Sequence, residues 1–155
     1  MYGVVKTHKD NNPMRPIISS VGSCTYNLAK WLVTLLTPIV GTISSSHIKN
    51  NTDLKFILEN LHCEYDFELV SFDVQSLFTT VPIDQLLVFL GNELQRHVFP
   101  IDTDDLINLS KLCIENCKFR FNNVFFYLQK FGMTMGNPLS PVLSKLICSF
   151  LSVIY

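Results

Sequence analysis

Charge is scarce in this sequence. Asp, Glu, Lys and Arg make up 16% of its 155 residues, and twelve basic against thirteen acidic side chains leave a net charge of −1. That balance speaks against a module that coats nucleic acid through bulk positive charge. A cysteine framework is lacking as well. Cys24, Cys63, Cys113, Cys117 and Cys148 are odd in number and irregular in spacing, which implies no disulfide set. Nor do they form closely paired zinc ligands of the Cys-x-x-Cys kind, so reduced, buried thiols are expected. No apolar run is long enough for a membrane span: residues 28–43 are broken by Lys30 and Pro38, and residues 142–155 by Lys145. No basic start with a long apolar core follows Met1. No repeat, low-complexity tract or long linker divides the chain. The expectation is one soluble, intracellular domain with a real core.

Hydrophobic residues are plentiful, at 48% of the chain and a mean hydropathy of +0.27. This is high for a soluble piece of such length, and suggests a chain cut from a larger protein whose remainder covers part of the surface. The charges are unevenly spread. Residues 1–50 carry five basic and one acidic residue (+4), residues 51–105 two and eleven (−9), and residues 106–155 return to +4. An acidic middle between basic flanks suits a site holding cations and polyanions together. It equally suits a surface of solvated acidic helices.

Tyr2 to Thr7 and Arg15 to Ser20 read as strands joined by the polar turn His8 to Pro13, a hairpin that gathers Lys6, Lys9 and Arg15. Leu28, Trp31, Leu32, Leu35 and Leu36 recur at three- and four-residue steps. They predict an amphipathic helix from Thr25, stopped near Pro38, with Trp31 in the core. After the polar loop Ser44 to His47, Asn51-Thr52 caps a second helix through Leu54, Ile57, Leu58 and Leu61. Helices are also expected over Ile83 to Phe99 and from Asp102 or Thr103, the latter turning Leu106, Leu109, Leu112 and Cys113 inward. Asp104-Asp105 in its first turn is explained by the helix dipole rather than as a catalytic pair. Lys118 to Leu128 is an aromatic hairpin around Asn122-Asn123, because Asn tolerates positive φ. Phe131 to Pro141 is constrained by Gly and Pro, with Gly136 allowing close approach of another molecule. Ser140 or Pro141 then opens a final helix.

The most informative stretch is Leu69 to Pro82. It reads as an apolar strand that delivers Asp73 at its carboxyl end, followed by a tight bend and a helix-starting Pro82. A carboxylate between Phe72 and Val74 in a buried run needs compensation. A bound cation supplies it, and a turn-capping role is the alternative.

Three blocks occur in order: Asn12-Pro13-Met14-Arg15-Pro16-Ile17-Ile18-Ser19-Ser20, Ser71-Phe72-Asp73-Val74 to Val81-Pro82, and Met133 to Leu143. Together they resemble the reverse transcriptase domain of Penelope-like retroelements. The Tyr2-Gly3 to His8-Lys9 opening and Ile48-Lys49-Asn50 are similar too, so the resemblance spans essentially the whole chain. It implies an α+β fold, part of a polymerase right hand in which an antiparallel sheet packs on helices. Residues 1–62 would form a fingers-like region and residues 63–155 the front of the palm. By the same resemblance, Arg15 contacts the triphosphate of the incoming nucleotide with Lys6 as a helper. A planar guanidinium suits that task because it forks onto phosphate oxygens. Asp73 would be a ligand of two Mg²⁺ ions, with the Val74 carbonyl completing one shell. Phe78 would be the gate against the nucleotide 2′-hydroxyl, and Met135 and Gly136 would lie against the nucleotide. Met135 stands where many reverse transcriptases have Gln, Val5 where relatives tend to carry Pro, and Asn123 in place of a hairpin Gly.

The implied activity is RNA-directed DNA synthesis by nucleotidyl transfer, with RNA template, DNA primer and deoxynucleoside triphosphates as partners, no membrane, and a nuclear location. In this family further carboxylates arrive in motif C, a Tyr/Phe-x-Asp-Asp turn after motif B. The sequence stops at Leu151-Ser152-Val153-Ile154-Tyr155. The expectation is therefore a truncated copy, without motif C or endonuclease domain and inactive alone. The alternative is a non-catalytic nucleic-acid-binding or interaction remnant. A phosphatase of the Asp-x-Asp type is disfavoured, since Gln75 stands where its second Asp would be.

Overall fold

The chain begins with a ribbon. Strands β1 (Tyr2–Val5) and β2 (Met14–Ile17) pair antiparallel, with Tyr2 opposite Ile17 and Val5 opposite Met14. The connection closes through the Lys6 N–H to the Pro13 carbonyl at 3.0 Å. It then turns through Asn11 and Asn12 at positive φ, which Asn accepts more readily than most residues. This computed structural model describes residues 1–40, 48, 50–62, 68, 70–122 and 124–154. The expected loop Ser44 to His47, Lys49, Cys63, Leu69 and the turn residue Asn123 lie outside the described residues.

Helix α1 (Tyr26–Val40) buries Ala29, Leu32, Leu36, Ile39 and Val40. It runs to Val40, two residues past Pro38; Pro38 sits in its last turn, where its missing N–H forfeits a single ladder bond. Trp31 is exposed rather than in the core, because the buried stripe runs through residues 29, 32, 36 and 39 and leaves position 31 at its edge. Helix α2 (Asn51–Glu59) is capped one residue earlier than expected: the Asn50 side chain accepts the Asp53 N–H at 3.0 Å. It buries none of its residues.

A short helix α3 (Leu77–Thr80) leads to Pro82, which immediately precedes α4 (Ile83–Leu94). This helix ends at Leu94, short of the expected Phe99. The Asp102 carboxylate accepts the Asp104 N–H at 2.9 Å and caps α5 (Thr103–Glu115). Its inward stripe is Leu106, Ser110, Cys113 and Ile114. Leu112, expected inside, faces solvent, because it falls off that four- and three-residue stepping. Strands β3 (Lys118–Phe121) and β4 (Phe125–Leu128) form the second ribbon, with Phe119 opposite Tyr127 and Arg120 opposite Phe126. The last helix is α6 (Ser140–Ile154).

The core is helical. α1 packs on α5 and α6, and α4 packs on the same pair. Leu32, Leu86, Leu94, Leu106 and Leu143 are wholly buried between them. The α+β class stands, with six helices and two two-stranded antiparallel sheets among the described residues. The expected sheet packed on helices is not among them: both ribbons are peripheral, and helices bury their apolar stripes against helices. The expected strand before Asp73 is likewise absent, and residues 70–74 run without strand structure. No described strand lies alongside to complete a ladder, and a single extended segment has no hydrogen bonds of its own. Phe72 is 94% exposed and Val70 66%. No helix of the described residues is long and apolar enough to cross a membrane.

Candidate functional site

Asp73 sits just before a turn at Gln75-Ser76. Ser76 adopts φ 55°, and the hydroxyls of Thr79 and Thr80 donate to its carbonyl at 3.0 and 3.2 Å. This tight turn launches α3 and fixes Phe78 five residues beyond the carboxylate. The loop between Phe131 and Asn137 then joins that turn to the first ribbon. The Met133 N–H donates to the Phe78 carbonyl at 2.6 Å, and the Ile18 N–H donates to the Met135 carbonyl at 2.7 Å. The Ser20 N–H and hydroxyl both donate to the Gly136 carbonyl, at 3.3 and 3.0 Å.

Two glycines make this clasp possible. Gly132 has φ +65°, and a Cβ there would meet the Thr79 carbonyl at 2.6 Å. Gly136 has φ +123°, and a Cβ there would collide with the Ile18 carbonyl oxygen and lie 2.8 Å from its carbon. Both neighbours are main chain, which cannot swing aside. The loop is in turn pinned to the core. Asn137 is buried, donates through Nδ2 to the Cys113 carbonyl at 2.7 Å and accepts the Leu139 N–H at 3.0 Å, so it ties α5 to the start of α6. The Thr134 hydroxyl donates to Cys117 Sγ at 3.2 Å.

The result is a cleft of about 390 Å³ lined by Lys6, Arg15, Asp73, Val74, Phe78 and Met135. Six residues singled out from three separate parts of the sequence thus share one concavity. Gly136, the seventh, lies behind it, holding the end of β2 through Ser20. His8, Lys9, Gln75 and Ser76 line the same cleft but were not singled out as its members. Lys9 was legible as part of a basic turn. Ser76 carries no sequence signal for its left-handed conformation.

Electrostatically the cleft is lopsided. Three cations, Lys6, Lys9 and Arg15, face one carboxylate, Asp73. None of the four takes part in an ion pair among the described residues. Their charges therefore remain available to a ligand. Asp73 is exposed, not part of a buried run, so water hydrates it and burial alone creates no demand for a cation.

The donor set can be tested against Mg²⁺. Among the described residues no group of three His, Cys, Asp or Glu side chains is placed to hold a metal ion. One carboxylate with one neighbouring carbonyl fits a single hard cation that keeps waters and shares phosphate oxygens with a ligand. It does not fit a pair of ions. None of the described cysteines lines the cleft. Burial pushes the Cys113 thiol up to about 11, with Cys117 and Cys24 adding to the shift, which keeps it protonated and inert. Cys24, expected to be buried, is exposed.

No protein-family model matches the chain, and neither a curated protein nor a solved structure matches it.

Proposed function

We propose that this chain is the fingers-like region and front of the palm of an RNA-directed DNA polymerase, related to the reverse transcriptases of Penelope-like elements. The observation that carries the reading is the single cleft shared by Arg15, Lys6, Asp73, Val74, Phe78 and Met135. Three unpaired cations beside one carboxylate suit a triphosphate that arrives with a divalent ion. Arg15 and Lys6 bind and orient the phosphates, the guanidinium in a forked contact and the ammonium as a point charge. Asp73 and the Val74 carbonyl would hold one Mg²⁺ shared with those phosphates. In nucleotidyl transfer such ions lower the barrier at the attacking and leaving oxygens. Phe78 forms an aromatic wall beside the sugar, and Met135 an apolar floor. The clasp at Gly132 and Gly136 sets the distance between the phosphate-binding ribbon and the carboxylate.

With a single carboxylate in the cleft, a polypeptide of this sequence is expected to bind nucleotide and not to extend a primer. The test is titration with a fluorescent deoxynucleoside triphosphate, with and without Mg²⁺. Mg²⁺ should tighten binding in the wild type, Asp73→Asn should abolish that gain, and Arg15→Ala should weaken binding with or without the metal. Binding indifferent to both substitutions sinks the reading, and primer extension by the isolated chain removes the single-carboxylate premise.

A further inference from the structure

The second ribbon has a composition that the cleft does not use. From Asn116 to Phe131 there are three cations, Lys118, Arg120 and Lys130, and no acidic residue. None of the three is in an ion pair among the described residues, and the nearest acid in sequence, Glu115, pairs with Lys111 at 3.8 Å. The register sorts the two faces. Lys118 stands opposite Leu128 and Arg120 opposite Phe126, so these four side chains share one face. All four are exposed, Phe126 at 77%. On the other face Phe119 and Tyr127 stack on each other, ring centres 5.6 Å apart, which stiffens the ribbon. Just beyond β4, Lys130 is exposed and Phe131 is 82% exposed. A solvated surface needs no such aromatic rings, and the core of a protein–protein contact is depleted in charge and in Lys, of which two stand here.

The geometry points to this face of the β3–β4 ribbon, together with Lys130 and Phe131 just beyond β4, as a binding surface for single-stranded nucleic acid. Arg120, Lys118 and Lys130 take the phosphates, and Phe126 and Phe131 offer ring faces on which unpaired bases stack. Cations on one strand beside exposed aromatic area on its neighbour are the pairing that single strands require and a duplex cannot use, because its bases are already stacked. The inference does not rest on the nucleotide reading of the cleft. It assigns a different surface and a polymeric ligand.

The experiment is fluorescence anisotropy with a labelled uridine 20-mer and its thymidine counterpart across a salt series, on the 155-residue chain. Three phosphate contacts predict a log–log salt slope near −2, from about −0.7 per contact on single strands. Arg120→Ala should reduce that slope by about 0.7 and weaken binding of both oligomers. Phe126→Ala should weaken binding by about tenfold at an unchanged slope, and Phe126→Tyr should restore it. These side chains are exposed, so unchanged thermal melting will show that the variants fold. Unaltered affinity and slope in both alanine variants, or equal rescue by Phe126→Leu, overturns the proposal. Triphosphate binding, measured in parallel, should respond to Asp73→Asn and Arg15→Ala but not to the ribbon variants. The two readings can therefore fail separately.

Discussion

Substituting Gly136 with alanine separates the cleft from its supports. At φ +123° an L side chain pays a conformational penalty of about 1–3 kcal/mol. The new Cβ would also lie 2.8 Å from the Ile18 carbonyl carbon and 3.2 Å from Ser19 Cα, so the end of β2 must move away. That movement breaks the Ile18–Met135 bond and both bonds from Ser20 to Gly136, each contributing about 0.5–1.5 kcal/mol net. If ribbon and core unfold together, the predicted cost is roughly 2.5–7.5 kcal/mol, the sum of the strain and the three lost bonds. If the ribbon lets go locally, only the strain appears in global unfolding, while triphosphate binding through Arg15 collapses. Gly22 is the control: its φ is +80° but no atom lies within 4 Å of an added Cβ. Gly22→Ala should cost about 1–2 kcal/mol and leave binding intact. Urea unfolding followed by Trp31 fluorescence, alongside nucleotide titration, reads both effects. A Gly136→Ala protein matching Gly22→Ala in stability and affinity would refute the clasp.

Two further outcomes test the core. Leu143 is wholly buried on α6, and Leu143→Ala should destabilise by about 2–5 kcal/mol in the same urea assay; a loss below 1 kcal/mol would mean the helical interface is loose. The Cys113 thiol, raised from 9.0 to about 11, is neutral in the fold over a range where the unfolded chain ionises. The stability it contributes is complete below pH 9 and is lost as pH rises towards about 11. Cys113→Ala should flatten that alkaline decline, and a stability curve of unchanged slope between those pH values would contradict it.

Local chemistry made much of this molecule legible. The two hairpins, the Asp102 cap and the opening of α6 at Ser140 follow from turn residues, capping residues and apolar spacing, which act over a few positions. What failed needed partners. The stretch before Asp73 has strand-like composition, yet a strand exists only beside another, and none of the described ones lies there. The apolar positions of α2 have helical spacing, but spacing cannot say whether anything covers Leu54, Ile57 or Leu58, and all three are exposed. At the cleft, local pattern pointed to Asp73 and the resemblance to Arg15 and Phe78, whereas the bonds that hold them together join positions such as Ile18 to Met135. No pattern along the chain encodes those pairings beyond the two glycines that permit them.

The clasp has a consequence for how this protein tolerates change. Its two walls are held by N–H and C=O groups, which every residue except proline carries alike, with Ser20 adding one hydroxyl. Substitutions at Met133, Met135 or Ile18 leave those main-chain bonds in place as long as the new side chain fits. The side chains at these positions can thus be exchanged for others without loosening the frame, while the two positions with no side chain cannot. Drift in side-chain identity is cheap in such a design, and drift in shape is not.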